Sequence, residues 1–203
     1  MRKLVYRNDG EIIKELIKKD SHLKKLFEQP EEVTVNLIEA SFAALAEAIV
    51  SQQLSGRVAE VIWGRVYALL KGNIVPNEVL KAAFDDLRKC GLSARKSEYI
   101  QSLASKVHSG EVHFTNIENM SNQEVIDMLV KVKGIGPWTA EMFLMFSLGR
   151  EDVFSVLDLG LRNGLQKLYQ KEMSHEEMIE MSKKWSPYRS VVSHYLWRYN
   201  QRK

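Results

Sequence analysis

Asp158 and the run Lys133-Gly134-Ile135-Gly136-Pro137 are the residues of this 203-residue chain whose types and spacing could do chemistry. The aspartate stands 24 residues after the first glycine. Glycine reaches backbone conformations closed to other residues, so Gly134 and Gly136 permit a sharp turn. Proline suits the first position of a helix, where its missing N–H costs nothing. The unpaired N–H groups at such a helix start form an anion site, and no side chain at either glycine blocks a phosphate. A carboxylate, for its part, stabilises positive charge developing on a sugar ring, as in glycoside hydrolysis. Plainer readings stand beside these. The glycines also read as a structural helix–turn–helix joint, and Asp158 as the N-cap of a helix starting at Leu159. For the aspartate the two roles are compatible, because a helix N-terminus favours the ionised form that the chemistry needs.

The elements that must hold these residues read as helices almost throughout. Val125, Ile126, Leu129 and Val130 recur at helical spacing and stop before the glycines. Pro137 to Leu148 is apolar nearly all round, the pattern of a buried helix. Stripes at 42–50 and 58–70, a helix over 77–89 and another over 93–108 precede the hairpin, and helices over 159–169, 174–185 and 187–202 follow it. In the last of these, Tyr188, Val191, Val192, Tyr195, Leu196 and Tyr199 share one stripe. Trp197 falls on the other side with Ser190, Ser193 and His194, so a large aromatic needs a place off the core stripe. Val33-Thr34-Val35 is the one strand-like run, too short by itself to support a sheet. The expected fold class is all-α.

Composition narrows the classes. Cys90 is the single cysteine, which excludes an intramolecular disulfide and a four-cysteine iron–sulfur cluster and fits a reducing compartment. Followed by Gly91, it reads as a helix end. The five histidines include no i, i+4 pair, which argues against zinc. The charged N-terminus is not a signal peptide, and no run of about 18 apolar residues predicts a membrane span. The net charge is +3, but residues 161–203 hold nine Lys/Arg against four Glu, which suits a polyanionic partner and equally a solvated helical surface.

Three segments carry a family resemblance: IVSQQLSGRVAEVI at 49–62, KGIGPWTAEMF at 133–143 with DVFSVLDLGLR at 152–162, and WSPYRSVVSHYLW at 185–197. They resemble the helix-hairpin-helix (HhH-GPD) DNA glycosylase superfamily, in particular its 3-methyladenine DNA glycosylase II, or alkylation-repair, branch. The resemblance implies two helical lobes, 41–150 with the hairpin and 1–40 plus 151–203, with a DNA-binding cleft between them. It implies Asp158 as the catalytic carboxylate, and Trp138 and Trp197 as aromatics of the base pocket, where an electron-rich ring attracts a cationic base. It implies DNA contacts through Lys133, Gly134, Ile135, Gly136 and Thr139. Gln53, with Leu54 beside it, takes the position of the residue that fills the gap left by an expelled base. Lyase branches place a lysine near position 138; Trp138 stands there instead, which implies water as nucleophile and a monofunctional enzyme.

The expected activity is hydrolysis of the N-glycosidic bond of alkylated purines such as 3-methyladenine in double-stranded DNA, by a cytoplasmic monomer. No organic cofactor or catalytic metal is expected. A sodium or potassium ion is expected at the hairpin carbonyls of Val132, Gly134 and Lys131. Two other classes stay open on the sequence: a non-catalytic helix-hairpin-helix DNA-binding module, and a glycosylase for deaminated or etheno purines.

Overall fold

The computed structural model describes residues 2–28 and 32–201. In chain order its elements are β1 (Lys3–Tyr6), α1 (Glu11–Lys19), α2 (Lys24–Phe27), β2 (Val33–Asn36), α3 (Phe42–Ser51), α4 (Gly56–Leu69) and α5 (Pro76–Lys81). There follow α6 (Phe84–Lys89), α7 (Ala94–His108), α8 (Asn122–Leu129), α9 (Pro137–Phe146), α10 (Leu159–Tyr169), α11 (His175–Ser182) and α12 (Arg189–Gln201). Single 3₁₀ turns sit at Ser21–Leu23, Ile117–Asn119 and Lys183–Trp185. Among the described residues the fold is all-α apart from one pair of strands. None of these helices is long and apolar enough to cross a membrane. Arg202 and Lys203, two of the basic residues counted above, lie outside the described residues.

The chain divides into two compact units, one of Met1–Ile38 with Leu144–Lys203 and one of Glu39–Phe143. In the first, β1 and β2 pair antiparallel in the register Lys3↔Asn36 to Tyr6↔Val33. This corrects the expectation that 33–35 is too short for a sheet. The missing partner is KLVY at the N-terminus, whose alternation is too brief to read alone. Pairing turns Tyr6, Val33 and Val35 into the core together, which fixes the register because a slip by one residue would turn one strand's apolar set to solvent. That core also holds Leu16, Leu23, Leu161, Leu165, Trp185 and Leu196. In the second unit α7 packs against α3, α5 and α6, with Leu45, Ile49, Leu87, Ile100 and Leu103 buried.

Local chemistry sets the helix ends. Ser121 and Ser174 open α8 and α11 with capping boxes completed by Glu124 and Glu177. The expected single helix over 77–89 is instead two, because Ala82 and Ala83 are extended between α5 and α6. α12 begins at Arg189, two residues later than expected, and the Ser186–Pro187 peptide before it is cis.

Asp20 links distant parts of the first unit. Its side chain is 8% exposed and caps the Ser21–Leu23 turn by accepting from the His22 N–H at 3.1 Å. It also accepts from the Tyr169 hydroxyl and, at 3.2 Å, from the Trp185 indole N–H. Burial alone would raise its pKa, but the hydrogen bonds from Tyr169, Trp185 and His22 outweigh burial and hold the carboxyl below its ordinary 3.8. A depressed folded pKa contributes stability that is present above about pH 4 and is lost as pH falls through the folded value. Asp20→Ala should lower stability by about 3 kcal/mol at pH 7, since it strands the buried Trp185 donor and the half-buried Tyr169 hydroxyl. Urea denaturation of wild type and variant should show that difference shrink below about pH 4.

Candidate functional site

Asp158 is built into the start of α10. As N-cap it takes the Leu161 N–H on Oδ1 at 2.8 Å, and the same oxygen accepts from the Trp197 indole Nε1–H at 2.8 Å. Two donors from different helices therefore converge on one carboxylate oxygen. The approach depends on missing side chains. A Cβ at Gly160 would lie 3.0 Å from Trp197 Cδ1 and 3.1 Å from Asp158 Oδ1, and one at Gly164 would lie 2.8 Å from the Leu196 carbonyl oxygen. These two glycines, one turn apart on α10, let α12 come close enough for its indole to reach the aspartate.

The Trp197 ring stacks on Phe146 (centroids 5.7 Å apart, 29° between planes) and lies 5.6 Å from the ring of His194. The face it shares with Ser190, Ser193 and His194 is not a surface, because all three are buried. Ser190 donates to the Arg150 carbonyl at 2.7 Å and accepts from the Val153 N–H at 2.9 Å, so polar contacts satisfy a second packed face that apolar periodicity does not reveal. Burial pushes the His194 pKa down to about 4, so its ring is neutral at pH 7. Trp197, His194, Phe146, Asn36 and Thr34 border a pocket of about 310 Å³. Asp152, the other nearby carboxylate, is structural: Arg189 Nε reaches it at 2.7 Å and Ser186 Oγ at 2.8 Å. Burial opposes its ionisation, but these bonds hold its pKa below the usual range.

In the second unit the hairpin assigns its glycines differently from the sequence reading. Both glycines are read from the sequence as permitting the turn, yet Gly136 has no positive φ and an added Cβ there meets open space. Gly134 carries the constraint, with φ +83° and a Cβ position 2.1 Å from the Tyr99 ring. Gly136 instead starts α9, its carbonyl accepting from the Ala140 N–H at 3.1 Å. The Ile135 and Thr139 side chains are buried. The Lys133 N–H is used by Ser102 Oγ at 3.2 Å, and its ammonium pairs with Glu98 at 2.6 Å. The Val132 carbonyl accepts from the Ile135 N–H and the Gly134 carbonyl from Gln52 Nε2. Trp138, 40% exposed, is not a core residue.

Gln53 sits at the tip of the turn between α3 and α4. Its φ is +57°, unusual for a residue with a side chain, and that side chain is exposed, whereas Leu54 is half-buried. Two residues the sequence reading passed over hold the turn. Gln52 donates to the Gly134 carbonyl at 2.9 Å, and the Lys96 ammonium donates to the carbonyls of Val50 and Gln52, both at 2.7 Å. Lys96 offered no sequence signal, because its position on α7 looks like any surface lysine. Among the described residues, no group of three or more His, Cys, Asp or Glu is placed to hold a metal.

Residues 46–187 match the HhH-GPD superfamily of base excision DNA repair proteins. The chain is 35% identical over 162 residues to DNA-3-methyladenine glycosylase 1 of Schizosaccharomyces pombe, covering 77% of this chain and 71% of that protein. Among solved structures it is similar to a DNA-3-methyladenine glycosidase from Bacillus halodurans, with a TM-score of 0.89 and 38% identity over 99% of this chain and 93% of that one. It is also similar to the S. pombe 3-methyladenine DNA glycosylase in complex with abasic DNA, with a TM-score of 0.73 and 32% identity over 94% and 91% of the two chains.

The two glycines of the hairpin should separate under substitution. Gly134→Ala should destabilise the fold by about 2 kcal/mol or more, from the strained φ and the Tyr99 clash. Gly136→Ala should melt like wild type and yet bind duplex DNA on the order of tenfold more weakly, the worth of one hydrogen bond to a charged group. That loss should be similar for damaged and undamaged duplexes, since phosphate contacts carry no sequence information. Thermal melts and a fluorescence-anisotropy titration at several salt concentrations measure both.

Proposed function

The chain belongs to the HhH-GPD superfamily of base excision DNA repair proteins, and on that premise we propose that it is a monofunctional DNA glycosylase that releases alkylated purines such as 3-methyladenine from double-stranded DNA. The observation that carries the site assignment is the doubly held carboxylate of Asp158. In the proposed reaction the bond between C1′ and the base nitrogen breaks, and its electron pair leaves with the base. An alkylated purine is already cationic, so those electrons neutralise it and no strong general acid is needed. The sugar is left as an oxocarbenium ion, which Asp158 stabilises through space. Water adds to C1′ and gives up a proton, leaving an abasic site.

The other groups take supporting parts. The backbone N–H groups at the start of α9 are proposed to hold a DNA phosphate, in the manner of helix N-termini generally. Gln53 is proposed to fill the gap when the target base leaves the stack. Trp138 and Trp197 are proposed to face the base, and for Trp197 this is compatible with its bond to Asp158, because the ring also borders the 310 Å³ pocket. The absence of an amine at position 138 supports hydrolysis over lyase chemistry. The reaction as proposed uses no organic cofactor and no catalytic metal. The second lone pair of each of the Val132 and Gly134 carbonyls is the proposed place for a sodium or potassium ion. A cytoplasmic monomer, nucleoid-associated in a bacterial cell, is the proposed setting.

Single-turnover release of 7-methylguanine from a duplex tests the assignment. Asp158→Asn should fold and bind an abasic-analogue duplex while base release falls by about 10²–10³. Trp197→Phe keeps the ring stack but removes the donor, and should slow release by on the order of tenfold with little change in melting temperature. Release by Asp158→Asn at the wild-type rate would remove the carboxylate from the mechanism. Separately, borohydride should trap no covalent protein–DNA adduct; a trapped band that persists after the N-terminal amine is blocked would make the enzyme a lyase.

A further inference from the structure

Helix α7 presents Lys96, Tyr99 and Ser102 three residues apart, along one side of the helix. Each touches a different part of the proposed DNA-facing surface of the second unit. Lys96 holds the Gln53 turn through the carbonyls of Val50 and Gln52, Tyr99 packs against Gly134, and Ser102 accepts from the Lys133 N–H. Gln52 then joins the turn directly to the hairpin through the Gly134 carbonyl. The Gln53 turn and the hairpin are thus referenced to the same helix, although 82 residues of chain separate Gln52 from Gly134.

The turn needs that support. Gln53 is left-handed without being glycine, a conformation that costs about 1 kcal/mol or more, and its side chain is exposed. A charged donor shared by two carbonyls at the end of α3 opposes relaxation of that backbone, since charge-assisted hydrogen bonds are roughly twice as strong as neutral ones. Burial lowers the Lys96 pKa, the direction expected of an ammonium taken from water to serve backbone carbonyls.

We propose that Lys96 is a positioning residue that fixes where the Gln53 side chain stands relative to the hairpin, and so how effectively the protein expels a paired base. The inference rests on the reading of Gln53 as the residue that fills the gap. It predicts a defect specific to the expulsion step. Neither phosphate binding nor the carboxylate chemistry needs Lys96, whereas expulsion of a paired base needs the Gln53 side chain in place.

The test compares single-turnover release of 7-methylguanine placed opposite cytosine with release of the same base placed opposite a tetrahydrofuran abasic analogue, where no pair has to be broken. Lys96→Met should slow the first by on the order of tenfold, in line with the cost of a small misplacement. It should slow the second by less than about threefold and leave affinity for undamaged duplex within about twofold of wild type, because the hairpin is untouched. Lys96→Arg, which keeps two charged donors, should restore the paired rate. Lys96→Gln, which keeps a shorter, neutral donor and leaves the hairpin untouched, should show the same split to a smaller degree, which keeps the proposal testable should Lys96→Met fold poorly. Equal slowing in both contexts, or no slowing in either, would overturn the proposal. The underlying reading is judged by other arms of the same experiment. Wild type releasing no 7-methylguanine from either duplex removes the glycosylase assignment. Gln53→Ala with an unchanged preference between the duplexes removes the gap-filling role, and the inference with it.

Discussion

The approach of α10 to α12 is the constraint on which the proposed chemistry of the first unit depends. Gly164 lets the backbone at Leu196 come within van der Waals reach, and Gly160, one turn earlier, leaves room for the Trp197 indole beside Asp158. A methyl group at either position would meet a neighbour at 3.0 Å or less, so the two helices would have to separate. Separation would break the indole bond first, because a hydrogen bond weakens within a few tenths of an ångström while apolar packing yields more gradually. The aspartate would keep its cap on Leu161, which is local to α10, and lose the donor that comes from another helix. The stack of Trp197 on Phe146 and its contact with His194 set the ring plane, so the direction of the N–H follows from packing behind it.

The second unit is proposed to meet a polyanion at its hairpin, where the adjacent lysine is already engaged. Lys133, the lysine beside the hairpin, is paired with Glu98, and the pair is exposed, where such bridges contribute little. Backbone geometry carries more of the proposed work: Gly134 supplies the turn, Gly136 leaves space at the helix start, and Ile135 anchors the loop in the core. Shape and orientation of N–H groups, more than the charge of Lys133, are what support the proposed phosphate contact.

What could be read from the sequence was local. The cap at Asp158, the helix start at Pro137 and the ends of α10 each follow from a few adjacent residues. What could not be read depends on partners far along the chain. β1 and β2 are strands because each finds the other across 26 intervening residues, and neither is long enough to declare itself. Gly134 and Gly136 look alike in a Gly-Ile-Gly run; the left-handed turn at Gly134 and the ring of Tyr99, 35 residues earlier, make that one irreplaceable. Ser190, Ser193 and His194 read as a polar face and are core, since their partners in the segment 150–153 and in the aromatic cluster satisfy them. Lys96 is the extreme case, a lysine whose meaning lies in the two carbonyls it finds at the end of α3.

The way the chain divides also has a consequence for its biosynthesis. The second unit is one continuous stretch, whereas the first is assembled from both ends: the Tyr195 hydroxyl donates to the Tyr6 carbonyl, and the Trp185 indole to Asp20. On a ribosome, Glu39–Phe143 can complete its core while α10 to α12 are still unmade. The first unit must wait, with β1, α1 and α2 holding an apolar face for which most of the covering residues do not yet exist. Closing a loop of roughly a hundred residues is a slow, entropically opposed event, and prior folding of the inserted unit reduces the chain freedom that closure must remove. The segment with the greatest exposure to misassembly during synthesis is therefore the N-terminal one, which is made first and buried last.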